Sequence, residues 1–313
     1  MKNNILRYLI LVFSLLFFLI VYLSTLGIET DKFNNQIKNR ISQINKNIDI
    51  DLKKIKLTID PLNFKIYAKT IGATVFFSKK PLALESIKTQ VSISSLIKNK
   101  IASSNIEITT RTLILNDLIK FIRATNNKPE LFIIEKIIKK GHITLDLSIN
   151  IDDNGKIKDD YEIKGLIKNA SINFLNQTKL NNLNFNFNIK KDNYLLNEIK
   201  FKSEELNFIS KKLNIKKKKN SFLIDGTLKN NESNLNSNIL RLLNLNIENI
   251  IIHDVKFRTE NKFSFELDKK FKVKNIILNS DININQLKYK KLDIIKNYLS
   301  DVNDLILLNN HKL

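Results

Sequence analysis

The strictest constraint on this fold is a run of alternating apolar and polar residues that begins after Gly141. Its apolar members are Ile143, Leu145, Leu147, Ile149 and Ile151, and its polar members are Thr144, Asp146, Ser148 and Asn150. Successive side chains of a β-strand point to opposite faces. The run therefore predicts a strand with one apolar face and one hydrated face.

The same alternation recurs along the rest of the chain. Its groups are Tyr161, Ile163 and Ile167; Ala170, Ile172 and Phe174; Leu183, Phe185, Phe187 and Ile189; Phe222, Ile224 and Leu228; and Phe263, Phe265 and Leu267. This pattern predicts a mostly β fold, a long antiparallel meander with a few short helices. Because few helices are available to cover the apolar face, the sheet must close into a barrel or sandwich, or use a lipid as the missing layer.

Shorter elements are predicted around this meander. IDLKKIKLTI, NFKIYAKT and SIKTQVSI read as strands, with Pro61 and Pro81 marking turns. NDLIKFIRAT predicts a short helix capped by Asn116 or Asp117, whereas PELFIIEKIIKKG fits helix or strand. The pair Asn154–Gly155 between alternating runs predicts a type I′ hairpin turn.

The N-terminal segment carries no charge and no proline from Tyr8 to Leu26. Its length approaches the roughly 20 residues that cross a bilayer and exceeds the roughly 7 to 15 apolar residues of a signal peptide. Residues 8–27 are therefore predicted to be a retained anchor rather than a cleaved signal or a buried core helix. The anchor residues include Leu9, Phe13, Phe17, Leu19 and Leu23.

The charges that flank this span predict its orientation. Lys2 and Arg7 precede the span, and Glu29 and Asp31 are the first charges after it. The positive-inside rule then places residues 1–7 in the cytoplasm and the bulk of the chain outside it.

Residues 28–48 are predicted to form a juxtamembrane helix. Phe33, Ile37, Ile41 and Ile44 recur at spacings of four, four and three, and Thr30 is the predicted N-cap. This helix would pack against the first strands or lie on the membrane surface. Residues 49–313 contain no linker and are predicted to form one β domain. Its strand pattern stops midway in LILLNNHKL, so we expect a short domain, a truncated one or one completed by a partner.

The sequence offers no set of catalytic or metal-binding residues. There is no cysteine, and His142, His253 and His311 are far apart. The six glycines form neither a phosphate-binding loop nor a dinucleotide fingerprint. NIDDNGKIKDDY fits the first positions of a calcium loop, but Tyr161 stands where a bidentate glutamate belongs. We therefore expect no enzymatic activity, no metal and no other cofactor.

The formal net charge of +21 comes from 52 Lys and Arg against 31 Asp and Glu. A basic surface is typical of nucleic-acid binding. The excess, however, is almost all lysine, and readers of bases and phosphates favour the bidentate arginine fork. Lys, Asn and Ile share A/T-rich codons, so mutational bias accounts for the composition. We expect no nucleic-acid partner, while weak attraction to anionic lipid headgroups stays compatible with the charge.

An N-terminal anchor, a juxtamembrane helix and a long run of alternating strands without catalytic residues resemble the AsmA-like family of bacterial envelope proteins. The resemblance is carried by LVFSLLFFLIVYLSTLGIETDKFNNQIKNRI, by the entry into strands from Asp51 to Ile66, and by GLIKNASINFLNQTKLNNLNFNFNIKKDNYLLNEIKF from Gly165 to Phe201. It covers the chain from end to end and lies in architecture and cadence, without an invariant motif.

This resemblance implies a taco-shaped β-groove, apolar inside and polar outside, that guides phospholipid acyl chains between the inner and outer membranes. The chain would be a single-pass protein of the inner (cytoplasmic) membrane of a Gram-negative bacterium, with its bulk in the periplasm. Its partners would be phospholipids and an envelope protein or outer-membrane component. The alternative is an anchored periplasmic scaffold that binds protein partners during outer-membrane protein assembly. The candidate groove-lining residues are Ile143, Leu145, Leu147, Ile149, Ile163, Ile172, Phe174, Phe185, Phe187, Phe222, Ile224, Phe263 and Phe265.

Overall fold

The structure is a computed structural model that describes residues 2–44, 46–77, 80–94, 105–125, 129–152, 158–174, 178–234, 253–270, 272–290 and 305–312. Its described part is mostly β, with one large antiparallel sheet of 18 strands and few helices. The predicted fold class is therefore confirmed.

Four helices are described: α1 (Lys2–Thr25), α2 (Asn34–Ile44), α3 (Leu115–Thr125) and α4 (Pro129–Ile137). The strands are β1 (Ile28–Thr30), β2 (Ile48–Asp51), β3 (Ile55–Asp60), β4 (Lys65–Ile71), β5 (Thr74–Phe77), β6 (Lys80–Ser92), β7 (Asn105–Thr110), β8 (Leu113–Ile114), β9 (Ile138–Asn150), β10 (Glu162–Phe174), β11 (Thr178–Lys190), β12 (Asn193–Ser203), β13 (Leu206–Lys217), β14 (Ser221–Asn230), β15 (Ser233–Asn234), β16 (His253–Asp268), β17 (Val273–Lys290) and β18 (Leu305–Lys312). The chain divides into two compact units, residues 1–168 with 187–191, and residues 169–186 with 192–313.

Helix α1 contains a 19-residue stretch, Arg7–Thr25, with a mean hydropathy of 2.4 and no buried residue. It is long and apolar enough to span a membrane, which is compatible with a single-pass anchor. Of the predicted anchor residues, Leu9, Phe13, Phe17 and Leu19 are exposed. Leu23 is half-buried near the end of the helix, where α1 contacts β3.

The first unit contains a ladder in which β3, β4, β6, β7 and β9 pair in that order. Residues that oppose each other in an antiparallel ladder share a face. One row across the five strands is Ile55, Thr70, Ile87, Ile108 and Leu147, and the next row on that face is Leu57, Ala68, Thr89, Ile106 and Ile149. The row between them, on the other face, is Lys56, Lys69, Lys88, Glu107 and Ser148. This unit thus has the one apolar and one hydrated face that alternation predicts.

The ladder bends at Gly72, which joins β4 to β5. Gly72 has a φ of +69°, in the left-handed region that favours glycine. Strand β6 follows the bend, because its first half pairs with β5 and its second half with β4. Its register against β7 shifts at the same place, between Leu84 and Ser86. Strand β2 adds to the outer edge of β5 through Ile50, opposite Val75. The apolar face therefore turns a corner.

Helix α3 packs near this corner. Its buried residues are Leu115, Leu118 and Ile119, and the ring of Phe121 meets that of Phe77 edge to face at 6.3 Å between centroids. Helix α4 is joined to α3 by the Arg123–Glu135 ion pair. The first unit therefore covers part of its apolar face with helices.

The second unit is built on aromatic contacts between its strands. Phe201 and Phe208 are direct cross-strand partners with stacked rings 5.1 Å apart. Leu206 and Phe257 are buried, and Phe208 and Ile284 pack against them. The core of this unit therefore lies on the strand face that carries these residues.

The alternation of β12 changes phase at Glu198, which has a φ of +54°. The β12–β13 register leaves out Glu198 and Lys211 and resumes at Ile199 and Ser210 without a shift. The phase therefore changes through the backbone conformation at Glu198, without an inserted residue. Apolar residues accordingly fall at even numbers before Glu198, as at Leu196, and at odd numbers after it, as at Phe201.

Several sequence predictions need correction at their boundaries. The predicted helix over residues 28–48 is confined to Asn34–Ile44, because residues 28–30 pair with β3 and Ile48 begins β2. Thr30 therefore lies in a strand and is not the N-cap. IDLKKIKLTI forms two strands rather than one, separated by residues 52–54. Pro81 is the second residue of β6, opposite Phe76, rather than part of a turn.

The remaining local predictions have mixed outcomes. NDLIKFIRAT is helical, but α3 begins at Leu115, so neither Asn116 nor Asp117 is its cap. PELFIIEKIIKKG, which was compatible with helix or strand, contains both, since α4 ends at Ile137 and β9 begins at Ile138. The predicted turn at Asn154–Gly155 lies outside the described residues.

Candidate apolar ligand site

An apolar cavity of about 410 Å³ lies inside the corner of the first unit. Twelve of its fourteen lining residues are aliphatic and the other two are threonines: Ile37, Ile41, Ile48, Ile50, Leu52, Ile55, Ala68, Thr70, Val75, Leu84, Ile87, Thr89, Ile106 and Ile108. They come from α2, from strands β2 to β7, and from the link between β2 and β3. Small-molecule sites typically enclose about 300 to 1,000 Å³, so the volume suits part of a flexible apolar ligand.

Helix α2 forms one wall of this cavity. Ile37 and Ile41, one turn apart on the same side of the helix, face the strands. Asn34, the first residue of the helix, donates from Nδ2 to the carbonyls of Leu52 and Lys53, at 2.9 and 2.6 Å. Of the two placements that the sequence allowed for this helix, the structure has the one against the first strands.

Thr70 is one of the two polar residues of the cavity wall, together with Thr89. Thr70 is 6% exposed, and within the described part of the chain its Oγ1 has no hydrogen-bond partner. A buried polar atom without a partner costs about 1 to 3 kcal/mol. Native structures satisfy nearly all such atoms, so this hydroxyl marks a place where a ligand atom could bond.

The four candidate residues on β9 lie on the same sheet face as the cavity but beside it. Leu147 and Ile149 oppose Ile108 and Ile106, which line the cavity. Ile143 is 5% exposed and pairs with Leu113, whereas Leu145 is half-buried. The β9 residues therefore extend the apolar surface of the cavity without lining it.

The other candidates of the first unit include Phe187, which is 8% exposed. A Cβ built on Gly165 would stand 2.4 Å from Cζ of Phe187 and 2.6 Å from the carbonyl oxygen of Thr144. The glycine thus allows the ring to lie over β10 close to β9. Ile163 is half-buried on the same strand.

The candidates of the second unit belong to that unit's own strands. Ile172 and Phe185 are half-buried. Phe222 and Ile224 oppose Leu267 and Phe265, and the rings of Phe263 and Phe265 stack 5.9 Å apart. Phe174 ends β10, and its side chain lies outside the described part. The candidates of this unit whose side chains are described do not line the cavity of the first unit.

Sequence reasoning missed most of the residues that do line it. Ile106 and Ile108 alternate within the short strand NIEITT, a signal that could have found them. Ile37 and Ile41 were identified as a helical stripe but not as a cavity wall. The other lining residues depend on the bend at Gly72, which brings β2 and β5 toward the face of β3, β4 and β6.

The opposite face of the first unit is polar and held by side-chain hydrogen bonds. Asn105 donates from Nδ2 to Oδ1 of Asn150 at 2.9 Å, and Thr109 donates to Asp146 at 2.8 Å. Lys88 forms an exposed ion pair with Glu107, 3.8 Å apart. Across the described part of the chain, no group of three or more His, Asp or Glu side chains is placed to hold a metal ion.

Comparison of the chain with protein-family models, curated proteins and solved structures gives no match. The cavity and the apolar face are therefore interpreted on their chemistry alone.

Proposed function

We propose that this chain is a single-pass inner-membrane protein of a Gram-negative bacterium, of the AsmA-like kind, with its bulk in the periplasm. It binds phospholipid acyl chains on its apolar β-sheet face and supports lipid transport to, and biogenesis of, the outer membrane. The observation that carries this proposal is the aliphatic cavity of about 410 Å³ close to the end of the candidate anchor.

The chemistry of the lining selects an alkyl chain. The lining contains no charged residue, so a ligand would gain free energy mainly by leaving water, at about 0.8 kcal/mol per buried CH₂. A lipid coming from a bilayer exchanges one apolar surrounding for another, and lipid tails are about as apolar as leucine. Its net free energy of transfer is therefore near zero, which suits reversible loading and unloading.

Thr70 favours a ligand with a polar group beside its alkyl chain. The unpartnered Oγ1 of this residue would donate to an ester carbonyl or carboxylate oxygen at the chain's head. A purely hydrocarbon ligand would leave the hydroxyl unpaired. The acyl ester of a phospholipid provides both the chain and the acceptor.

The apolar face beyond the cavity offers a path for the rest of the chain. Leu147 and Ile149 continue the rows of Ile108 and Ile106, and Leu145 follows on the same face of β9. An acyl chain longer than the cavity would lie over these residues.

Photocrosslinking in cells tests the proposal on the full chain. A photoreactive residue at Ile108 or Leu145 is compared with one at the adjacent, oppositely facing Glu107 or Thr144. Phospholipid adducts at the first pair, and at neither control, are the expected result. Equal or absent lipid labelling would refute lipid binding on this face. Protein adducts at Ile108 or Leu145 would instead support the scaffold function in outer-membrane protein assembly.

A further inference from the structure

The hairpin between β3 and β4 lies beside the end of α1. Strand β1 follows α1 directly and pairs with β3, with Ile28 opposite Leu57 and Thr30 opposite Ile55. Because the two strands are antiparallel, β3 runs from Ile55 back toward α1. The chain then turns between Asp60 and Lys65, and residues 60–64 form what we call the hairpin tip.

The burial of α1 agrees with this direction. Every residue from Tyr8 to Leu19 is exposed, whereas Ile20, Leu23 and Ser24 are half-buried and Gly27 is buried. These four positions are three, one and three residues apart, which places them on one side of a helix. Helix α1 contacts β3, and a Cβ on Gly27 would stand 2.3 Å from the carbonyl oxygen of Leu57. The last two turns of α1 therefore have protein along one side.

The part of β3 beyond Leu57 is about as long as the half-buried part of α1. Three strand residues beyond Leu57 extend β3 by about 10 Å. Along α1, the seven residues from Gly27 back to Ile20 also span about 10 Å. Half-burial thus begins on α1 at the level that the end of β3 reaches. If α1 spans a membrane up to its last turn, the hairpin tip lies at the depth of the membrane interface.

The hairpin tip is apolar and rigid. Leu62 is 90% exposed and Phe64 is 66% exposed, the former being the most exposed large apolar side chain among the described residues. The carboxylate of Asp60 accepts hydrogen bonds from the backbone N–H of Asn63 at 3.0 Å and from its Nδ2 at 2.8 Å. The carbonyl of Phe64 accepts from the N–H of Ile93 at 2.8 Å. Two apolar side chains are therefore held in solvent by an ordered turn.

Cations and a tyrosine lie behind the hairpin tip, on the polar sheet face. Tyr67 is 37% exposed. A pocket on this face extends along β4 as far as Gly72 and is lined by six cationic side chains and one carboxylate: Lys53, Lys54, Lys56, Lys69, Lys88 and Arg111, with Glu29. Tyrosine is enriched at membrane interfaces, and lysines close to an anionic leaflet are attracted to it. Lys56 is the cross-strand partner of Glu29 in β1, and Glu29 lies two residues after Gly27.

We propose that the hairpin tip and the basic pocket behind it form a second membrane-docking surface. Leu62 and Phe64 enter the interface of the leaflet that α1 crosses, and the lysines bind its anionic phospholipid headgroups. The occupant is thus the membrane itself, because the surface continues from the anchor and its charge complements anionic lipid. This inference rests on α1 spanning a membrane and is independent of lipid binding in the cavity.

Docking at two points would fix the orientation of the first unit above the bilayer. A single spanning helix leaves the tilt of the first unit over the bilayer unrestrained. A second contact at the hairpin tip removes that freedom and holds α2 and the cavity at a constant distance from the membrane surface.

Single-cysteine labelling tests the proposal, since the chain has no cysteine of its own. Phe64→Cys is labelled with an environment-sensitive fluorophore in the full chain, reconstituted in phosphatidylcholine vesicles with about one-third phosphatidylglycerol, and quenched by brominated lipids. Ile114→Cys is the matched control, because Ile114 is 53% exposed on β8 and lies outside both the hairpin tip and the basic pocket. Tyr22→Cys in α1 reports insertion of the anchor.

We expect strong quenching at Tyr22 and Phe64 and little at Ile114. Quenching at Tyr22 with none at Phe64 would overturn the docking surface while leaving the anchor intact. No quenching at either would overturn both. Leu62→Cys repeats the measurement at the same hairpin tip, so a folding defect in one variant does not decide the outcome.

The role of the cations is tested in the same assay. Lys56→Gln with Lys69→Gln should lower the docking equilibrium about 25-fold in anionic vesicles, at roughly fivefold per charge. The double variant should have little effect in pure phosphatidylcholine. Equal quenching at Phe64 in both vesicle types for the unaltered chain would overturn headgroup binding.

Discussion

Replacing Ala68 with leucine should fill the cavity of the first unit. Ala68 lines it and stands between Leu57 and Thr89 on the apolar face. Leucine adds three carbons, which would enter about 410 Å³ of space. At about 0.8 kcal/mol per carbon removed from water, Ala68→Leu should raise the free energy of unfolding by about 2 kcal/mol. In a close-packed site the same change would lower it by about 1 to 3 kcal/mol.

The sign of this change therefore tests whether the cavity exists. The assay is guanidinium chloride unfolding of the delipidated full chain in detergent, followed by far-UV circular dichroism. Lipid retained during purification is measured by mass spectrometry on the same variants. Lys140→Leu is the control, because Lys140 is exposed on β9 of the same unit and lines neither the cavity nor the basic pocket, and exposed substitutions usually change stability by less than about 0.5 kcal/mol.

Two results would refute the reasoning at different steps. Destabilisation of Ala68→Leu by more than about 1 kcal/mol would mean that the site is already packed. Stabilisation with lipid retention equal to that of Lys140→Leu would mean that the cavity exists but holds no lipid. Stabilisation with lost lipid is the expected outcome.

Three further predictions follow from individual residues. Thr70→Val should raise the free energy of unfolding of the lipid-free chain by about 1 kcal/mol, because it removes an unpartnered hydroxyl, and should weaken lipid retention. Gly72→Ala should lower the free energy of unfolding, measured by circular dichroism, by about 1 to 2 kcal/mol, because the φ of this residue is +69°. Gly27→Ala, at a φ of +70°, should lower it by about 1 to 3 kcal/mol more, because the new Cβ would also meet Leu57. The hydrogen bond from Lys229 holds the pKa of Glu260 below its usual 4.5. The ionised carboxylate therefore stabilises the fold above that pH and loses this effect as pH falls, so Glu260→Gln should flatten the acid limb of a pH–stability curve.

The sequence predicts those elements whose signal is local. The alternation from Ile143 to Ile149 is visible because both faces of β9 differ in polarity, and the structure has a strand there. The apolar run of α1 and the stripe of Leu118 and Ile119 in α3 are equally local. In each case one pattern extends over the whole element: alternation with a period of two in β9, an uninterrupted apolar run in α1 and a stripe with a period of about 3.6 residues in α3.

The phase change at Glu198 and the bend at Gly72 depend on the folded backbone and leave no such signal. Glu198 reads as one more polar residue, yet its positive φ inverts the phase of β12. Gly72 is one of six glycines in the sequence. Only the register shift of β6 against β7, between Leu84 and Ser86, shows that the chain turns a corner there. A register is fixed by the neighbouring strand, so the cavity inside the corner could not be located from the sequence.

The walls of this cavity differ in strength, and the difference indicates where a ligand would enter. The strand walls are joined by continuous backbone ladders. Helix α2 is held over them by the amide of Asn34 and by an ion pair between Lys38 and Asp49, whose side chains are about half exposed at 3.2 Å. Exposed ion pairs contribute about 0 to 1 kcal/mol. Helix α2 is therefore the wall that separates at least cost, and because it starts seven residues after Gly27, a ligand that enters past it would do so near the end of α1.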